Sequence, residues 1–116
     1  MKVAIVGSRT APDTMYQQMI PHIPLGCSEV VSGGADGADA LGKRFAKEQG
    51  LLFTCFPPDY GKFGSAAPVM RNEQIVDYAD YVLILWDMKS KGSRYVINSC
   101  LKKEKPFKII EINNKK

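Results

Sequence analysis

The chain of 116 residues reads as an α/β protein, a three-layer sandwich in which helices cover both faces of a five-stranded parallel sheet. Two observations predict this. Short apolar runs alternate with stretches of helical period from one end to the other. Each connection between successive runs is long enough for a crossover, which parallel pairing requires. The length suits a single domain over 1–116, and a hydrophobic content of 45% supplies an ordinary core.

Val3 to Val6 is a β-branched run closed by Gly7, the pattern of a strand buried on both faces. Asp13 to Ile20 is expected to be helical, with Asp13 as its cap and Pro21 and Pro24 as its stop. Glu29 to Ser32 forms a second, short strand. From Gly37 to Gln49, residues Ala38, Leu41, Phe45 and Ala46 share one helical face, and Gly50 serves as the C-cap. Leu51 to Phe56 is the third strand, ended by Pro57 and Pro58 because proline cannot donate to a ladder. The Gly-, Ser- and Pro-rich segment that follows, as far as Ala67, reads as the longest loop. Val69 to Tyr78 is helical, Tyr81 to Trp86 is the fourth strand, and Ser93 to Lys103 is the last helix, with Val96, Ile97, Cys100 and Leu101 inward. Phe107 to Ile112 completes the sheet.

Composition excludes several classes. His22 is the single histidine, and Cys27, Cys55 and Cys100 lie far apart without CxxC spacing, so neither a metal site nor a disulfide framework is expected. An odd number of cysteines at apolar-looking positions, and a strand directly after Met1, are the marks of a reduced, cytoplasmic protein without a signal peptide. No apolar run approaches the ~20 residues of a membrane helix. The net charge of +4 admits a polyanionic partner, but Lys102, Lys103, Lys105, Lys108, Lys115 and Lys116 crowd one end, where they serve solubility.

In such a sheet ligands sit outside the carboxyl ends of the strands, so the turns there are where chemistry is expected. The first turn is Gly7-Ser8-Arg9, a hydroxyl and a guanidinium suited to an anion. The second is Ser32-Gly33-Gly34-Ala35-Asp36-Gly37-Ala38-Asp39, opening straight into a helix. Its glycines allow close backbone approach, and the free amides of a helix start suit a phosphate. The alternative is a tight turn whose Asp36 or Asp39 serves the helix dipole. Arg71 and Asn72, near the head of the third helix, offer a second anion clamp or a solvent-facing pair. Trp86-Asp87, followed by Ser90, Gly92 and Ser93, again meets a helix start, and Trp86 either stacks on a base or covers the core. The dinucleotide fingerprint GxGxxG is absent after the first strand. Gly37 to Lys43 spells the opening of a P-loop, but Arg44 replaces the required Ser or Thr and the stretch lies inside an amphipathic helix.

Together, Val6-Gly7-Ser8-Arg9, the Ser32 to Asp39 loop, Met70-Arg71-Asn72 and the Trp86 to Ser93 segment resemble the SLOG superfamily. This Rossmann-like group includes DprA/Smf and the LOG phosphoribohydrolases, and the likeness is greatest to its small YspA-like branch of bacterial or phage proteins. The resemblance implies a pocket for a nucleotide or an NAD- or ADP-ribose-like ligand, built from Gly7, Ser8, Arg9, Gly33, Gly34, Asp39, Arg71, Asn72, Ser90, Gly92 and Ser93. No required cofactor is expected. The LOG signature PGGxGTxxE does not survive here: Ser90 to Ile97 keeps the glycine and hydroxyl but lacks the acidic residue. The leading expectation is therefore a module that binds or senses a nucleotide. A nucleotide hydrolase or phosphoribohydrolase-like enzyme, with Asp39 as its acid or base, is the alternative, and single-stranded DNA binding the second. Association into a homo-oligomer is compatible with the resemblance.

Overall fold

The β-branched run near the N-terminus becomes the centre of the sheet. In a computed structural model, which describes residues 1–112, it forms β1 (Lys2–Gly7), and Val3, Ala4 and Ile5 are fully buried. The other strands are β2 (Glu29–Ser32), β3 (Leu52–Cys55), β4 (Tyr81–Trp86) and β5 (Phe107–Glu111). All pair in parallel in the order β3-β2-β1-β4-β5. Strand order reverses at β1, which pairs with β2 on one side and with β4 on the other. The crevice above that pair is where a doubly wound sheet takes ligands.

The helices are α1 (Met15–Met19), α2 (Ala38–Gln49), α3 (Tyr60–Phe63), α4 (Ala67–Tyr78) and α5 (Lys91–Lys103). They divide between the two faces. Met15, Met19, Leu41 and Phe45 pack with Val3, Ile5 and Leu83 on one side. Ile75, Val76, Val96 and Cys100 pack with Ala4, Val31 and Ile84 on the other. The expected three-layer α/β sandwich with its five-stranded parallel sheet is thus the observed fold. Close approach of α2 to the sheet requires Gly42, since a Cβ there would stand 2.9 Å from Ile5 Cβ.

Several local expectations are corrected. Asp13 does not cap α1: Thr14 holds the N-cap position without a side-chain bond, and the turn is closed by the Asp13 carbonyl accepting from the Tyr16 amide. The expected long loop contains α3 and a 3-10 turn over Gly64–Ala66, because the Asp59 carboxylate accepts the Lys62 amide and starts a helical turn. Helix α4 begins at Ala67, with Pro68 in its first turn, where a missing amide costs nothing. Helix α5 begins at Lys91, two residues before the expected Ser93. Leu101 is 60% exposed: the inward stripe of α5 runs through Ser93, Val96 and Cys100, and Leu101 lies about 100° around the helix from Cys100. Cys55 is exposed at the end of an edge strand, not apolar-sided. No helix among the described residues is long and apolar enough to cross a membrane.

Candidate functional site

The turns after β1 and β4 are locked together by one buried serine. Ser8, 2% exposed, accepts the Asp87 amide at 3.0 Å and lies 2.9 Å from the Ser90 hydroxyl. Ser90 in turn donates to Ser93 at 3.0 Å. The single Ser90 proton being engaged there, Ser8 is the donor to Ser90, and the Ser93 proton is left at the end of the chain of hydroxyls. The Asp87 Oδ1 accepts the amides of Lys89 and Ser90 at 2.9 and 2.8 Å, forming an Asx turn that aims the start of α5. These backbone bonds hold the Asp87 carboxyl below the usual carboxylate range. Trp86 Nε1 donates to the Ser90 carbonyl at 3.1 Å and braces the same turn.

The glycine-rich loop after β2 is organised by Asp39. Its Oδ2 accepts the Gly33 amide at 2.9 Å and the Ala35 amide at 3.2 Å. Burial pushes this carboxyl above the usual range, opposed by the two amides and the charges of Arg71 and Arg9. The loop is pinned to its neighbours by contacts only glycine permits. At Gly37, where φ is +71°, a Cβ would stand 2.5 Å from the Ser8 carbonyl oxygen, which also accepts the Ala38 amide at 3.1 Å. Arg71 reaches across from α4: its Nη1 donates to the Gly33 carbonyl at 2.7 Å and its Nε to Asn72 Oδ1 at 2.9 Å.

Between these turns lies a cleft of about 360 Å³, within the usual range of small-molecule sites. From the expected set, Gly7, Ser8, Arg9, Ala35 and Asp39 line it from one side of the switch point. Arg71, Asn72, Asp87, Ser90, Gly92 and Ser93 line it from the other. Ser32, Gly33, Gly34, Gly37 and Trp86 do not line it; they shape the loops behind its wall. Trp86 packs at the margin of the core with the Arg94 guanidinium 5.7 Å from its ring centre. Asp36 also lies outside the lining. Sequence reasoning missed Val6, Thr10, Pro68 and Val96. Thr10 extends the hydroxyl-bearing turn and donates to Asp87 Oδ2 at 3.4 Å, a signal readable from its place beside Arg9. The apolar three carry no signal distinct from core residues.

The charges divide clearly. Lys103 pairs with Glu73 and with Asp77, and Lys105 donates to the Ala79 carbonyl, so these two lysines are engaged on the flank of the fold. Lys115 and Lys116 lie outside the described residues. Arg9 lines the cleft and is exposed, and it makes no hydrogen bond or ion pair among the described residues. The first turn of α5 carries no acidic residue and no side-chain cap, and a Cβ at Gly92 would meet only open space. Comparison with protein families, with curated proteins and with solved structures returns no match to this chain.

Proposed function

We propose that the protein binds or senses a small phosphorylated ligand derived from a nucleotide, of the NAD or ADP-ribose kind, in the cleft at the β1/β4 switch point. The observation that carries this reading is the start of α5. Among the described residues its first-turn amides have no side-chain cap and the Ser93 hydroxyl ends a hydroxyl chain without an acceptor of its own, and Gly92 leaves the amides open to the cleft. An anion there meets the positive end of a helix. Arg9 adds a guanidinium from the facing turn. The start of α2 is a poorer phosphate site, because the Asp39 carboxylate already takes two of the loop amides.

The likeness of the four turn segments to the SLOG superfamily supports the same ligand class, and we propose membership of its small single-domain branch. On this reading the partner is a small molecule, the protein is cytoplasmic, and its three cysteines stay reduced. Isothermal titration with AMP, ADP-ribose, NAD and cyclic nucleotides tests the reading. Saturable heat with at least one of them, and a raised melting temperature, is expected. Absence of both with all of them rejects it.

One observation favours an enzymatic second reading: a buried carboxyl with a raised pKa lies in the cleft at Asp39. Chromatography after incubation with the bound nucleotide separates the two. Unchanged ligand is expected of a binding module, and turnover abolished by Asp39→Asn with binding kept favours the enzyme.

A further inference from the structure

Asp39 is 5% exposed, and its two carboxylate oxygens are not equivalent. Oδ2 accepts both loop amides, whereas Oδ1 accepts no hydrogen bond among the described residues. No side-chain oxygen sealed from solvent lacks a partner among those residues, so Oδ1 is the part of this otherwise buried group that opens into the cleft. A carboxylate oxygen at the wall of the cleft takes only donors and repels a phosphate.

The cleft therefore has two chemically distinct ends. Asp39 belongs to α2 on one face of the sheet, and the uncapped start of α5 belongs to the other. A ligand lying across the carboxyl edge of the sheet places its anion on α5 and a hydroxyl on Asp39. A hydroxyl is the fitting group, because it donates to Oδ1 without adding charge to a desolvated wall. The rigid hold of two backbone amides on Oδ2 keeps Oδ1 in place for it.

We infer that Asp39 is a specificity-determining residue, which makes the cleft select phosphorylated ribose over its deoxyribose counterpart by accepting a sugar hydroxyl on Oδ1. The inference rests on the reading of the cleft as a phosphate site and adds which sugar it takes. A ligand without the hydroxyl leaves the cleft-facing Oδ1 without its donor, and loss of one such charge-assisted bond weakens binding by roughly tenfold to a hundredfold.

The test is calorimetric titration of the full chain with ribose 5-phosphate, 2-deoxyribose 5-phosphate, AMP, 2′-deoxy-AMP and 3′-deoxy-AMP, with pyrophosphate as an anion lacking a sugar. The ribose compounds are expected to bind more tightly than at least one deoxy form by the stated factor, and Asp39→Asn is expected to erase the difference while pyrophosphate still binds. Because that variant also touches the loop amides, the same ligands are followed by amide NMR of the parent protein. Ribose compounds are expected to shift Gly33 and Ala35, whose amides sit on the Asp39 carboxylate, and the discriminated deoxy form to shift them less. Equal affinity for ribose and all deoxy forms, or discrimination that survives Asp39→Asn, overturns the inference and leaves the phosphate site standing. No binding of any of these anions overturns the phosphate site, and the inference with it.

Discussion

The Nη1 of Arg71 donates to the carbonyl oxygen of Gly33 over 2.7 Å, joining α4 to the loop after β2 across 38 positions of sequence. An arginine that lines the cleft is thereby turned to holding the backbone. Its Nη1 holds a backbone carbonyl, its Nε holds Asn72, and the glycine loop owes its position to that grip. Room for it exists because residue 33 has no side chain: a Cβ there would stand 2.2 Å from Nη1.

Gly33→Ala is accordingly expected to push the Arg71 guanidinium aside and to destabilise the fold by about 1 kcal/mol, the worth of the hydrogen bond it makes to the Gly33 carbonyl. Urea unfolding would show a lower midpoint at unchanged slope. Arg71→Lys is expected to cost a comparable amount, since an ammonium cannot serve Gly33 and Asn72 with one planar fork. A Gly33→Ala protein as stable as the parent would contradict the clamp.

The serines of the cleft should separate into a structural and a binding role. Ser8→Ala removes the acceptor of the Asp87 amide beneath the β1 and β4 turns, at a cost of about 1–3 kcal/mol for an unsatisfied buried group. Ser93→Ala removes a proton that no group among the described residues accepts, so it is expected to leave stability nearer the parent and to weaken phosphate binding several-fold. Chemical denaturation and pyrophosphate titration of both variants check this. A Ser93→Ala protein with unaltered anion affinity would detach that hydroxyl from the site.

The flank of α4 and α5 gives a pH signature. Lys103, then the Tyr95 hydroxyl at 2.5 Å, hold the Glu73 carboxyl down to about 2, against an ordinary value of 4.5. A carboxyl lowered in the folded state stabilises it above the ordinary value, and that contribution is lost as pH falls from about 4.5 through about 2. The Glu73 side chain is 31% exposed, so solvent screening leaves on the order of 1 kcal/mol. Glu73→Gln is expected to be less stable than the parent at pH 7, with the gap narrowing over that acid window. A gap constant with pH would assign the loss to packing instead.

The parallel sheet and its layering follow from features visible in the chain: buried apolar runs at β1 and β4, helical stripes such as Leu41 and Phe45, and crossovers between strands; the strand order does not. The turns after β1, β2 and β4 were legible for the same reason, since glycine and hydroxyl residues cluster where strands end. The direction in which each side chain is used was not. Arg9 and Arg71 look alike in sequence, yet one is open to the cleft and the other is engaged by a carbonyl 38 residues away. Trp86 sits beside the site residues in sequence but faces the core margin, because its indole nitrogen is held by the Ser90 carbonyl. Leu101 differs from its neighbour Cys100 by one step around the helix, a rotation that periodicity alone places too loosely. A contact distant in sequence decides the first, a bond within one turn the second, and the seating of the helix on the sheet the third.

In the proposed function the first turn of α5 holds the ligand's anion. Amide NMR titration of the isotope-labelled protein with ribose 5-phosphate decides whether it does. Saturable shifts at Lys91, Gly92 and Ser93, with matching movement at Arg9 on the facing turn, are the predicted result. Shifts confined to the exposed lysines at the far end of α5, Lys102 above all, would contradict it.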